Sequence, residues 1–326
     1  MPRNRYYSGP VSDHFNGRFF NVSPPTRDKG LGDILRWRRT SQPPVWPSTI
    51  PVTSVVPPQR SETTRITVVG HATILIQTAG LNLVTDPWWS QRTSPVSFLG
   101  PKRVCAPGVA FEDLPRIDAV LLSHNHYDHL DIVTLRDLVA RDDPLVMTPL
   151  GNDTVVSRSI PAARLWTGDW WDRHDLDLGV GVTIVPAQHW SQRGLGDRRM
   201  ALWGGFVIQS GASRIYFAGD TGYGDGTVFK AIRNKLGEPD VALLPIGAYA
   251  PRWFMSDQHV NPQEAVRMFR DMDARHAIGI HWGVIPLSDE ARDEPREALA
   301  AALAHHDISP GRFVAAEPGH VWTVGG

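Results

Sequence analysis

At 326 residues the chain has room for one large domain or two, and 41% apolar with 21% charged residues is ordinary for a globular protein that buries a sizeable core. A net charge of −1 gives no footing for a polyanion, so nucleic acid is not an expected partner. A single cysteine, Cys105, excludes an intramolecular disulfide framework and a cysteine-only metal cage.

Residues 1–60 read as an arm packed on the body. Pro24-Pro25, Pro43-Pro44, Pro47 and Pro57-Pro58 break every long helix there. The first residues lack the apolar segment of a secretory leader, and no run of about 18 apolar residues occurs, so a cytoplasmic protein without a transmembrane helix is expected. Ile34 to Arg39 combines Trp37 with Arg36, Arg38 and Arg39. It fits either peripheral contact with anionic lipid heads or a solvated helix whose Trp37 packs on the body.

Residues 61–326 read as one continuous catalytic domain. Ile66 to Val69, Thr73 to Ile76 and Leu81 to Val84 are β-branched-rich runs separated by Gly70 and Gly80, the pattern of adjacent antiparallel strands. Further strands are predicted at residues 119–122, 182–185, 203–208, 214–217, 241–244 and 277–280, with helices at about 131–140, 227–236, 262–272 and 289–304. Asn261, Pro262 and Glu264 supply an N-cap, an N1 proline and an N3 acid for the third helix. Strands first and helices interleaved later suggest two sheets packed face to face with helices outside.

Chemistry concentrates at four strand ends. His124, His126, Asp128 and His129 follow the run 119–122, His189 follows Val185, Asp220 follows Phe217, and His281 follows Ile280. Histidine and carboxylate are the common ligands of zinc, and iron or manganese at one or both sites would accept the same donors. In an extended loop, His124 and His126 project together toward one ion while Asp128 and His129 turn toward a second. The expected sets are His124, His126, His189 and Asp220 for one metal, and Asp128, His129, Asp220 and His281 for the other. Asp220, with two carboxylate oxygens, bridges them. Two ions about 3.5–4 Å apart would lower the pKa of a shared water toward neutrality and yield a hydroxide nucleophile. Without cations, six or seven such groups crowded together carry a heavy desolvation and repulsion cost.

This pattern, His-x-His-x-Asp-His with downstream His, Asp and His, resembles the metallo-β-lactamase fold, a four-layer αβ/βα sandwich of two mixed sheets flanked by helices. Longer blocks narrow the resemblance: Gly100 to Arg103, Ser123 to Asp131, Gln188 to Trp190, Phe217 to Tyr223, Pro245 to Tyr249, Pro251 to Met255, Gln258 to Val260 and Ile280 to Gly283. They are similar to the N-acylphosphatidylethanolamine-hydrolysing phospholipases D. The resemblance implies a zinc-dependent phosphodiesterase that releases phosphatidic acid and an N-acylethanolamine, with Asp128, Asp220 and His259 in the catalytic apparatus. Its alternative is a lactone or small phosphate-ester hydrolase of the same fold. His259 either hydrogen-bonds the phosphate or leaving oxygen, or stabilises the loop before Asn261, where the family usually has Asp.

Several supporting residues keep two readings. Asp86 either accepts the second ring N–H of a ligating histidine or caps a turn. His71 is either a similar support or a satisfied core histidine. Tyr223, Tyr249, Arg252, Trp253 and Phe254 either line the mouth above the metals, suiting an amphipathic phosphate ester, or pack. Association into a homodimer is left open.

Overall fold

The structure is a computed structural model that describes residues 4–324 except Ser23, Arg27, Ser97 and Ala212. The outermost residues of the expected arm and domain therefore lie outside the described residues.

Residues 4–60 contribute one helix, α1 (Leu31–Thr40), and otherwise irregular chain. Then follow β1 (Arg65–Gly70), β2 (Thr73–Thr78), β3 (Leu81–Thr85), β4 (Ala119–Leu121), α2 (Ile132–Asp142), β5 (Leu145–Pro149), α3 (Asn152–Ser159), β6 (Arg164–Gly168) and β7 (Arg173–Asp175). The second half holds β8 (Val180–Val185), β9 (Gly205–Ser210), β10 (Ser213–Phe217), α4 (Thr227–Leu236), β11 (Val241–Pro245), α5 (Arg252–Met255) and α6 (Pro262–Asp271). It closes with β12 (His276–Ile280), α7 (Glu294–His305), β13 (Phe313–Ala315) and β14 (Val321–Thr323).

Two seven-stranded mixed sheets result, ordered β14-β1-β2-β3-β4-β5-β6 and β13-β12-β11-β10-β9-β8-β7. In the first, β14, β1, β2 and β3 are antiparallel neighbours and β3 to β6 run parallel. In the second, β7 to β10 are antiparallel and β10 to β13 parallel. Side chains alternate across each strand, so every central strand supplies two cores. Ile66, Ile74, Leu83 and Leu121 meet Ile184, Phe206, Phe217 and Leu243 between the sheets. On the outer face of the first sheet, Leu75, Val84 and Val120 pack against Leu135 and Leu138 of α2 and Val156 of α3. Beyond the second, Val207, Tyr216 and Leu244 pack against Phe229 of α4, Phe269 of α6 and Leu299 of α7. The order is thus helices, sheet, sheet, helices, the expected four-layer sandwich.

The antiparallel opening and the start of α6 follow the sequence. Asn261 Oδ1 accepts from the Glu264 N–H at 2.9 Å and the Glu264 carboxylate accepts from the Asn261 N–H at 3.1 Å, a reciprocal cap. Strands β5, β6, β7, β13 and β14 and helices α3 and α5 add to the expected elements. Two boundaries move. Trp203 and Gly204 precede β9 rather than joining it, because the Trp203 indole donates to Asn21 and to the Ala187 carbonyl. The last long helix starts at Glu294, since Glu290 is buried elsewhere, accepting the backbone N–H groups of Ala248 and Ala250. Among the described residues, no helix is long and apolar enough to cross a membrane.

Candidate metal centre

Strand direction gathers the chemistry at one end. β1 and β3 are both antiparallel to β2, and β4 runs with β3, so these three strands point the same way. In the second sheet β8 and β10 are both antiparallel to β9, and β12 runs with β10 through β11. His71 leaves the end of β1, Asp86 that of β3, His124 to His129 that of β4, His189 that of β8, Asp220 that of β10 and His281 that of β12. Such carboxyl ends are the usual location of sites in α/β sheets. The chain turns sharply there: φ is 56° at His71, 34° at Asp86 and 59° at His281. A left-handed backbone at three bulky or charged residues is strain that the surrounding structure must hold. Gly219, with φ 60°, is required for a different reason: a Cβ there would lie 2.9 Å from that of Ser123, closing the gap through which the Asp220 loop passes.

One group of donors is His124, His126 and His189. His189 Nδ1 lies 3.0 Å from the Gln258 carbonyl, which can only accept, so the proton sits on Nδ1 and Nε2 is left bare. His124 Nδ1 lies 2.9 Å from Ser123 Oγ, whose own proton goes to Asp86 at 2.7 Å, so His124 Nε2 is bare too. Both bare nitrogens face His126 Nδ1, at 2.8 Å from His124 and 3.2 Å from His189. Two bare nitrogens converging with a third imidazole nitrogen in a buried place fit a cation.

The other group is Asp128, His129 and His281, with His71 beside them. His129 Nδ1 donates to Asp86 Oδ2 at 2.7 Å, which turns Nε2 toward Asp128 and Asp220, at 3.4 and 3.2 Å. His281 Nε2 lies 3.3 Å from Asp128 and 3.1 Å from Asp220. Asp220 stands between the groups, 3.7 Å from His189 and 3.9 Å from His259. The Nε2 atoms of His129 and His281 and Oδ1 of Asp220 are buried without a hydrogen-bond partner of good geometry. Buried polar atoms left unsatisfied are costly, and here a divalent cation is the group they suit.

The electrostatics agree. Burial drives His124 and His189 well below the ordinary histidine range, with neighbouring histidines adding to the effect on both, and lowers His126 and His259 to about 4. Burial also opposes charge on His129 and His281, but Asp220 and Asp128 outweigh it, holding His129 well above the ordinary range and His281 at about 9. Burial would raise Asp128 and Asp220, yet the facing histidines hold both well below the usual carboxylate range. Protons on His129 and His281 thus occupy the electrostatic place of cations.

All seven expected ligands are brought together, and Asp86 and His71 with them. His71 Nε2 donates to Asp128 Oδ2 at 3.0 Å. The expected substrate contacts are more dispersed. The Tyr223 hydroxyl is hydrogen-bonded to Asp271, that of Tyr249 to Glu294, and Arg252 donates to Glu264 and to the His259 carbonyl. Phe254 is buried against Trp37 of α1, and Trp253 lies at the surface under Arg36. The tautomer-fixing roles of Ser123 and of the Gln258 carbonyl escaped sequence reading. A serine beside a histidine has many uses, and a backbone carbonyl leaves no signal at all. Trp190, edge-on to His126 at 4.6 Å, also belongs to the site.

The model of the β-lactamase superfamily domain matches residues 81–282, which span every expected ligand. The chain belongs to the metallo-β-lactamase superfamily. Within this superfamily it is 41% identical over 263 residues to N-acyl-phosphatidylethanolamine-hydrolyzing phospholipase D 1 of Caenorhabditis elegans, covering 78% of this chain and 74% of the relative. It is 36% identical to the mitochondrial enzyme of the same name from Saccharomyces cerevisiae, over 68% of this chain and 47% of that one. Among solved structures, an isothiocyanate hydrolase from Delia radicum gut bacteria shares the metallo-β-lactamase fold, with a TM-score of 0.63 and 22% identity over 79% of this chain and 98% of that one. As a metallo-β-lactamase superfamily member with these relatives, the chain is a metal-dependent hydrolase.

Proposed function

We propose that the chain is a dinuclear zinc phosphodiesterase that cleaves N-acylphosphatidylethanolamine, or a related lipid phosphodiester, between phosphorus and the ethanolamide oxygen. The observation that carries the reading beyond hydrolysis is a groove of about 520 Å³ that starts at His126 and is lined by Pro95, Tyr127, Trp190, Arg193 and Leu195. Its walls are apolar and aromatic. The Arg193 guanidinium lies 4.1 Å from the Tyr127 ring, with Nη1 donating to the Asn125 and Leu130 carbonyls; Arg198, outside the lining and paired with Asp28, lies 4.0 Å from the Trp190 ring. An ester with a long acyl tail and an anionic head matches such a groove.

His124, His126, His189 and Asp220 would hold one cation, and Asp128, His129, His281 and Asp220 the other. Such a pair supplies Lewis acidity toward phosphoryl oxygens and lowers the pKa of a shared water. The protein's own groups do the positioning. Asp128, fixed by His71 and partly exposed, stays ionised and would accept a hydrogen bond from the attacking water, orienting it. His259, kept neutral by burial, stands between His189 and His281 with ring centres 5.2 and 5.6 Å away. From there it donates a hydrogen bond to the departing oxygen. On α1, Leu31 and Leu35 are exposed beside Arg38 and Arg39, a face suited to touching an anionic lipid surface.

The test is hydrolysis of N-acylphosphatidylethanolamine in mixed micelles against a soluble phosphodiester and a lactone, with zinc content measured on the same preparation. Preference for the lipid and about two zinc ions per chain are expected. Asp220→Asn should abolish turnover and reduce zinc content. Preference for the soluble ester or the lactone would establish the alternative hydrolase instead.

A further inference from the structure

His189 occupies an awkward position for a metal-holding residue. It lies beyond the end of β8 and belongs to no strand; the preceding Gln188 carbonyl accepts the Gly222 N–H at 2.7 Å. The N–H and carbonyl of His189 itself are held by one side chain from the far N-terminal region. The Asn21 amide, 5% exposed, donates from Nδ2 to the His189 carbonyl at 3.0 Å, and its Oδ1 accepts the His189 N–H at 3.3 Å. The amide therefore acts as a strand neighbour would, closing a two-bond ring on a single residue. Its orientation is itself fixed, because Oδ1 also accepts from Trp203 Nε1 at 3.1 Å and Nδ2 also donates to Thr26 Oγ1 at 2.9 Å.

We infer that Asn21 is a positioning residue for His189, setting the backbone from which the imidazole reaches the first metal group. This rests on the reading of His189 as a metal ligand. The Gln258 carbonyl fixes the ring at Nδ1 and Asn21 fixes the main chain, so that Nε2 is aimed from both ends. The surrounding segment has further anchors that do not run through this amide. The Phe19 N–H donates to the Arg199 carbonyl, Phe15 and Phe19 pack with Trp203 and Leu202, and the Tyr6 hydroxyl donates to Asp197 at 2.7 Å. Loss of the Asn21 amide should consequently disturb His189 while the rest of the segment stays in place.

The experiment is zinc binding by chelator competition, with thermal melting of each metal-free protein, for Asn21→Leu, Asn21→Asp, Tyr6→Phe and His189→Ala. Asn21→Leu should weaken one of the bound zinc ions by between about 10-fold and about 100-fold, the range for groups that orient a ligand. Asn21→Asp keeps the acceptor for the His189 N–H and should recover part of the loss. Tyr6→Phe, which cuts an anchor of the same segment, should bind zinc as the parent does. Unchanged zinc binding in both Asn21 variants, with binding lost in His189→Ala, would overturn the inference and leave the proposed function standing. An equal loss in Tyr6→Phe would also overturn it, by showing a general effect of the segment. Full zinc binding by His189→Ala would remove the ligand reading itself. If the leucine variant does not fold, Asn21→Asp carries the comparison, with a several-fold loss expected and parental affinity overturning the inference.

Discussion

Asp86 shows how one buried carboxylate can organise several others. It is fully buried, accepts from the backbone N–H and hydroxyl of Ser123 at 2.7 Å each, and accepts from His129 Nδ1 at the same distance. It therefore orients His129 directly and His124 through the serine. Replacing it with alanine removes both constraints without touching a metal-facing atom, so Asp86→Ala is expected to lower zinc affinity by about 10-fold to 100-fold. Chelator competition measures this. From the sequence, Asp86 stays poised between turn cap and histidine support, because the deciding fact is proximity to a residue 43 positions away. The candidate ligands themselves are legible, since each lies within a few residues of the end of a short strand-like run and a strand end tells where the following loop projects. Gln258 is not, because a backbone carbonyl leaves residue identity unconstrained, and Ser123 and Asn21 are not, because a short polar side chain has many uses and only the fold brings theirs against His124 and His189.

At the scale of elements, most of the strands that sequence reading misses, β6, β7, β13 and β14, are short or half-exposed, whereas the missed β5 is buried and the recovered β4 is short. β13 and β14 have three residues each, and the three residues of β14 are only partly buried, so no alternation can develop. The N-terminal arm has almost no regular structure, yet it is tied down by specific side chains. His14 is one: buried, it lies 2.6 Å from Asp13 and 2.7 Å from Asp169, just past β6, and its ring stacks on Trp170 at 4.5 Å. Burial alone would lower its pKa, but Asp169 and Asp13 together raise it above the ordinary value. A raised folded pKa means that the stabilisation is complete below the unfolded value of about 6.5 and fades as pH rises through the folded one. The melting-temperature difference between the parent and His14→Gln should therefore be largest below about pH 6.5 and shrink as the pH rises above it. A difference that grows with pH would show that the neutral imidazole, not the ion pair, holds the arm.

Across the whole molecule, two sheets are closed over one apolar core, and one end of that core carries a concentration of charge that folding alone would not favour. Asp128 and Asp220 are held ionised against burial, and His129 and His281 are held protonated against burial, each by the other. Zinc entering such a site must displace those protons, because a ligating imidazole is neutral. Zinc binding at neutral pH is thus expected to release protons, and affinity should climb with pH as His281, at about 9, and His129, held well above the ordinary histidine range, lose theirs. Calorimetric titration in buffers of differing ionisation enthalpy counts the protons directly. The same linkage fixes the effect of metal removal: because cations bind the folded chain and not the unfolded one, chelation should lower the melting temperature, and added zinc should restore it in proportion to the logarithm of its free concentration. A metal-free protein that melts at the same temperature and takes up zinc without releasing protons would mean that the strand ends had been built around hydrogen bonds alone. In that case the orphaned Nε2 atoms of His129 and His281 would be left with no physical account.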